Sequence, residues 1–109
     1  MKTQKEIFRE NEADAWLARN RAALAGFDPV QDAGIRHLRP YLRPGMAVAE
    51  VGCALAGRAA ALAGLTGGPG FGVDPSPQAV ADAKALHPRL TMAQATAEAL
   101  PWADGSVDV

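Results

Sequence analysis

Cysteine occurs once in the 109 residues, at Cys53, which excludes an intramolecular disulfide and suits a reducing cytoplasm. No His lies near it in sequence to activate it, so a nucleophile is not expected there. Neither sign of charge dominates: 11 Lys and Arg stand against 12 Asp and Glu. Without a face dense in basic residues, binding to nucleic acid is not expected. No apolar run approaches the length of a membrane span. The opening "MKTQKEIFRENEADAW" is polar and lacks the apolar stretch of a secretion signal. His37 and His87 have no Cys, Asp or Glu at ligand spacing, so no metal site is expected. What remains is the composition of an ordinary globular chain, 49% hydrophobic and 21% charged, with room for one domain.

The chain changes character near residue 45. Before it, the reading is helix only. "TQKEIFRENEADAWLARNRAALAG" is rich in helix formers and carries larger apolar groups at Phe8, Trp16, Leu17 and Leu24, with Gly26 as its stop. Trp16 is expected to pack this helix. Asp28 and Pro29 offer an N-cap and first-turn proline for a second helix. In it Val30, Gly34, Leu38 and Tyr41 share a face, with Ile35 and Leu42 beside it. "RPG" at 43–45 ends it.

After residue 45, short apolar runs alternate with helical segments. "MAVAEV", "FGVD" and "LTMAQA" read as strands, "GRAAALAGL" and "QAVADAKAL" as helices, the latter opened by Ser76 and Pro77. "TAEAL" reads as a short turn of helix and "VDV" as the first residues of a fourth strand. This alternation predicts an α/β domain with a parallel sheet, whose strand ends gather any ligand on one edge. The fourth strand is expected beside the first. Because it has only three residues, the chain reads as the front half of a larger domain cut at that strand, against the alternative of a small complete unit with a frayed tail. Residues 1–43 then form an N-terminal helical segment and 44–109 a partial Rossmann-like domain. Unsatisfied strand edges would make such a chain prone to aggregate.

The loop after the first strand, "EVGCALAG", keeps small residues at Gly52, Ala54, Ala56 and Gly57, as a backbone that approaches a ligand requires. Glycine would be usual at 54 and 56. Glu50 at the strand's end suits a cationic group such as an ammonium and would repel a pyrophosphate. The same loop could equally be a structural turn with no ligand. Asp74, closing the second strand, stands where a carboxylate accepts from ribose hydroxyls; the other reading is an Asp that caps the turn before Pro75.

The order E-V-G-C-x-x-x-G, G-V-D-P-S, A-x-A-E-A-L-P-W and D-G-S-x-D-V resembles the front half of class I S-adenosylmethionine-dependent methyltransferases. It is most similar to the small-molecule group that includes quinone-biosynthesis enzymes. The resemblance covers residues 40 to 109 and implies a Rossmann-like class I methyltransferase fold, truncated after the start of its fourth strand, with an N-terminal helical cap. It implies S-adenosylmethionine as cofactor, held by Glu50, Gly52, Cys53, Ala54, Ala56, Asp74, Pro75, Thr96, Ala97 and Glu98. Glu50 and Gly52 would lie beneath the methionine part, with Ala54 and Ala56 lining the rest of the loop. Asp74 would hold the ribose, with Pro75 or Ser76 flanking the adenine. Thr96 departs from the usual Asp that accepts from the adenine amino group. Asp104 and Asp108 would be structural, and Trp102 core. The partner implied is a small-molecule methyl acceptor. No catalytic residue is assigned, since groups that shape the acceptor would come later than the fourth strand. The alternatives are a non-catalytic Rossmann-like binding module and a fragment of an NAD(P)-dependent oxidoreductase.

Overall fold

The computed structural model describes residues 1–7 and 11–109, so Phe8 lies outside the described residues. Two helical segments are described in the N-terminal stretch. Thr3 and Glu6 form a capping box: the Glu6 amide donates to Thr3 Oγ1 (3.2 Å) and the Thr3 amide to Glu6 Oε2 (2.7 Å). They open a single turn, α1 (Gln4–Ile7), which buries no side chain. Helix α2 (Ala13–Ala25) ends at Gly26, whose amide donates to the Ala22 carbonyl. Its buried face is Ala13 and Leu17, one helical turn apart, while Trp16 is 41% exposed. Trp16 therefore does not pack this helix as expected, because it sits one residue off the i, i+4 stripe that meets the core.

The second helix is shorter than its pattern. Asp28 accepts the Val30 amide on its side chain and the Gln31 and Asp32 amides on its carbonyl, which makes a turn and not a helix start. The N-cap is Asp32, whose Oδ2 accepts the Ile35 amide at 2.9 Å; α3 then spans Ala33–Leu38. Pro40 lacks an amide donor, and residues Arg39–Tyr41 tighten into a 3-10 turn. The expected face at Val30 and Tyr41 is exposed instead, at 70% and 69%. Only Ile35 of this helix is buried, against Val48 and Leu62.

From residue 45 the local signals hold. Strands β1 (Val48–Val51), β2 (Gly70–Asp74) and β3 (Thr91–Gln94) form a parallel sheet in the order β1-β2-β3. Their connections are α4 (Gly57–Thr66), closed by Gly67 in the left-handed conformation, and α5 (Pro77–Leu86). Ser76 Oγ caps α5 by accepting the Ala79 amide at 3.0 Å. Both helices meet one core cluster of Ala56, Ala59, Val80, Ala83, Leu90 and Met92. Gly72 of β2 lies beneath it; an added Cβ there would stand 2.8 Å from Met92 and 2.9 Å from Cys53 Sγ. "TAEAL" forms a turn closed by the Ala99 amide on the Thr96 carbonyl, not a helix.

Residues 107–109 run along the free side of β1. The Val109 amide donates to the Ala47 carbonyl, and the Ala49 amide to the Val109 carbonyl at 2.9 Å, the paired bonds of a parallel ladder. Asp108 Oδ2 accepts the Ala47 amide at 2.8 Å, the structural role expected of it. The fourth segment therefore lies beside the first strand, as the sequence predicts. Trp102 folds over the outer face of the sheet and meets the ring of Phe71, centroids 6.1 Å apart.

Candidate functional site

The loop that follows β1 turns through three left-handed residues at alternate positions: Gly52 (φ 71°), Ala54 (φ 49°) and Ala56 (φ 62°). The glycine slots read from the sequence are thus real in backbone geometry. Two of them hold alanine in a conformation that disfavours a Cβ by about 1–2 kcal/mol per residue. The surroundings over-determine the turn. The amides of Gly52 and Cys53 both donate to the Val73 carbonyl (2.8 and 3.0 Å), and the Ala56 amide donates to the Cys53 carbonyl (2.8 Å). The loop then delivers Gly57, the first residue of α4, where an added Cβ would stand 2.8 Å from the Phe27 ring.

Asp74 completes this turn. Its Oδ2 accepts the Ala54 amide at 2.8 Å and its Oδ1 the Ser76 amide at 2.9 Å. The carboxylate therefore ties the two ligand loops together and caps the turn before Pro75. Each oxygen has a second lone pair, so the same group can still accept from a hydroxyl.

Glu50 sits on the helix-facing side of β1, paired in register with Gly72. Its Oε2 accepts from Arg58 Nη1 at 3.0 Å, while Oε1 is buried and has no hydrogen-bond partner among the described residues. Arg58 also donates from Nε and Nη2 to the two oxygens of Asp32, at 3.0 and 2.8 Å. Burial pushes the Glu50 carboxyl above the ordinary range and the Arg58 guanidinium pulls it back. Asp32 moves the other way: Arg58 and the Ile35 amide hold it down at about 2. Cys53 is buried against the sheet, its thiol pushed up to about 12 first by desolvation and then by the Asp74 and Glu50 charges. It is a packed thiol, not a nucleophile.

The residues predicted from sequence divide into two groups. Gly52, Pro75, Thr96, Ala97 and Glu98 line an open cleft of about 430 Å³ at the carboxyl ends of the strands, together with Val51 and with Gln4 and Lys5 of α1. An added Cβ at Gly52 would point into empty space, so this backbone faces the cleft uncovered. Lys5 Nζ lies 3.4 Å from Glu98 Oε2 across it. The Glu98 carboxyl is held below its ordinary range, first by the Thr96 hydroxyl. Cys53, Ala54, Ala56 and Asp74 support the loop from below, and Ala56 is fully buried. Glu50 and Cys53 reach a second groove of about 550 Å³, walled by Leu24, Phe27, Leu55 and Arg58.

Sequence reasoning missed Asp32 and Arg58. One signal was available: Arg58 stands in the first turn of α4, where a cation opposes the helix dipole and so calls for an acidic partner. It also missed Asp14, whose carboxylate accepts from Ser76 Oγ and docks α2 on the start of α5.

No described helix is long and apolar enough to cross a membrane, and no metal-binding cluster of His, Cys, Asp or Glu occurs among the described residues. No curated protein matches the sequence significantly. Among solved structures, the chain is similar to a TehB-like SAM-dependent methyltransferase from Corynebacterium glutamicum. The identity is 26% and the TM-score 0.55, over 82% of this chain and 45% of that one. The chain thus spans less than half the length of that protein. It also matches a SAM-dependent methyltransferase from Geobacter sulfurreducens, solved with S-adenosyl-L-homocysteine, at 26% identity and TM-score 0.43, over 51% of this chain and 25% of that one. The family described as "Methyltransferase domain" matches residues 49–109, which begin inside β1 and run through every loop of the cleft. With a parallel α/β sheet, a left-handed loop after β1 and a match over more than half its length, this chain belongs to the methyltransferase-domain family.

Proposed function

We propose that the chain carries the cofactor-binding half of an S-adenosylmethionine-dependent methyltransferase that acts on a small molecule in the cytoplasm. The observation that carries the reading is the uncovered Gly52 backbone in the cleft, two residues after Glu50, whose buried Oε1 has no hydrogen-bond partner among the described residues and borders the neighbouring groove. A buried carboxylate oxygen without a partner is costly, and an ammonium group would satisfy it. That is the group on the methionine end of the cofactor. Gly52 would lie beneath this end, Asp74 would accept from the ribose hydroxyls, and Pro75, Thr96, Ala97 and Glu98 would border the adenine. Bound there, the cofactor supplies a methyl group on a sulfonium, open to in-line attack by a nucleophilic atom of the acceptor.

The chain's own residues bind and orient in this scheme; none is nominated to move a proton. Thr96 offers a neutral hydroxyl to the adenine side, and Glu98 is already engaged by it. By itself the chain is expected to transfer little or no methyl.

The test is titration of the chain with S-adenosylhomocysteine and with NAD, read by calorimetry and by melting temperature. Saturable S-adenosylhomocysteine binding that raises the melting temperature is expected, with none for NAD. Binding of NAD alone would point to an oxidoreductase pocket. Binding of neither, in a longer chain as well as this one, would leave a non-catalytic module.

A further inference from the structure

The two oxygens of Glu50 have unequal surroundings. Oε2 is held by Arg58 at 3.0 Å, while Oε1 is buried and within hydrogen-bond distance of no partner among the described residues, the Ala59 amide acting on the carboxylate more weakly than Arg58. Arg58 cannot swing freely, because its Nε and Nη2 both donate to Asp32, which is itself fixed by capping α3. A guanidinium is a rigid planar fork, so fixing Nε and Nη2 also fixes the direction of Nη1. The side chain of Glu50 is 16% exposed, in a groove walled by Leu24, Phe27 and Leu55 together with the basic side chains of Arg58, Arg21 and His87. Burial there favours the neutral acid, and the Arg58 cation offsets it first, with a smaller contribution from the Ala59 amide. The charged or titratable groups around it are Arg58 of α4, Asp32 at the start of α3, Cys53 in the loop, and Arg21 and His87 further along the groove. Arg58 alone among them bonds to Glu50.

We infer that Arg58 is a positioning residue for Glu50: it fixes the carboxylate rotamer and leaves Oε1 as the acceptor for a cationic ligand group. Asp32 anchors Arg58 from the N-terminal helices, so the helical segment before the sheet fixes where the guanidinium lies. The ligand part of this inference rests on the cofactor reading above. The coupling of Arg58 to Glu50 does not.

The experiment is a carbon-13 NMR titration of the Glu50 carboxyl in the 109-residue chain, run beside S-adenosylhomocysteine calorimetry at several pH values. In Arg58→Met the Glu50 midpoint is expected to rise by about one pH unit, and affinity below neutral pH to fall by about tenfold, recovering as pH rises. Arg58→Lys keeps the charge but not the fork and should fall between, which covers a Met variant that fails to fold. Asp32→Asn removes a negative charge near Glu50 and should not raise the midpoint. In Glu50→Gln, adding Arg58→Met should weaken binding no further. A Glu50 midpoint unmoved in both Arg58 variants would overturn the inference. A midpoint that rises in a chain that binds no S-adenosylhomocysteine would uphold the role of Arg58 and reject the cofactor reading.

Discussion

Ala54 and Ala56 share a backbone conformation and are both buried, at 6% and 0% exposed, but only Ala56 belongs to the core cluster under α4 and α5, and this separates their expected responses to glycine. Both are left-handed, so replacement relieves about 1–2 kcal/mol of Cβ strain in each case. Against this stands the greater freedom glycine gives the unfolded chain, about 0.4–1 kcal/mol. Ala56 also packs its methyl, fully buried, in the α4–α5 core cluster, where its removal costs about 0.8 kcal/mol more. Ala54→Gly should therefore stabilise by up to about 1 kcal/mol while Ala56→Gly stays near neutral. Urea unfolding of the two variants checks the order; a loss of stability in Ala54→Gly would contradict it. Asp32 makes a second prediction. Its carboxyl titrates at about 2 in the fold against an ordinary 3.8, so between these values the unfolded chain holds more protons. Stability from Asp32 is present above pH 3.8 and drains away as pH falls toward 2. Asp32→Asn should lose stability at neutral pH and show a flatter decline across that window, measured as urea midpoints at stepped pH. Glu50 has the opposite sign: its carboxyl is pushed up, so its contribution is present at low pH and declines as pH rises through the raised value.

Helix α2 is an element whose docking is specified at three points of unequal weight. Leu17, 1% exposed, inserts between Leu55 and Ala79. Asp14 accepts from Ser76 Oγ at the start of α5, and Arg21 reaches Asp82 at 2.8 Å near the surface. Truncating Leu17 to Ala should cost about 2–5 kcal/mol, since a buried branched side chain leaves a cavity. Ser76→Ala removes both the cap of α5 and the partner of Asp14, and should cost about 1–2 kcal/mol. Arg21→Ala should cost least, because solvent screens an exposed pair. Denaturant midpoints falling in that order, largest loss at Leu17, check the assignment. The reverse order would mean that charge, not packing, docks the helix. The periodicity of this segment announced a helix, but the partner surface chose its buried face. That is why Leu17 is inside and Trp16, its sequence neighbour, is out.

For the molecule as a whole, helices α4 and α5 cover one face of the sheet, and the other is met by the segment that carries Trp102. Among the described residues the outer edge of β3 pairs with no strand, and Val51 and Leu100 remain 47% and 43% exposed. A free parallel edge is a template for association, and exposed apolar side chains elsewhere on the surface add to it. Sedimentation velocity should show the apparent mass of the chain rising with concentration. A monomer whose mass is independent of concentration would contradict this. The ligand prediction belongs to the same scale, because the cleft is assembled from α1, the ends of β1 and β2 and the loop after β3 at once.

The sequence by itself determined the elements whose signals are local. Ser76 and Pro77 start α5, Gly67 stops α4, and the apolar runs at 48–51, 70–74 and 91–94 pair as parallel strands because short helical crossovers allow little else. The order of four loop motifs carried the family, and even the abnormal alanines could be found by counting residues from Gly52. Only the tertiary structure decided what those residues do. Asp32 and Arg58 are 26 positions apart, and no periodicity relates them. Asp74 proved to be a clasp between two loops, since a carboxylate has more lone pairs than one role can use. Glu50 was legible as an acid at a strand end, but its one engaged and one vacant oxygen follow from which helix packs above it. Local preferences act through neighbours in sequence, whereas charge state and burial are set by neighbours in space.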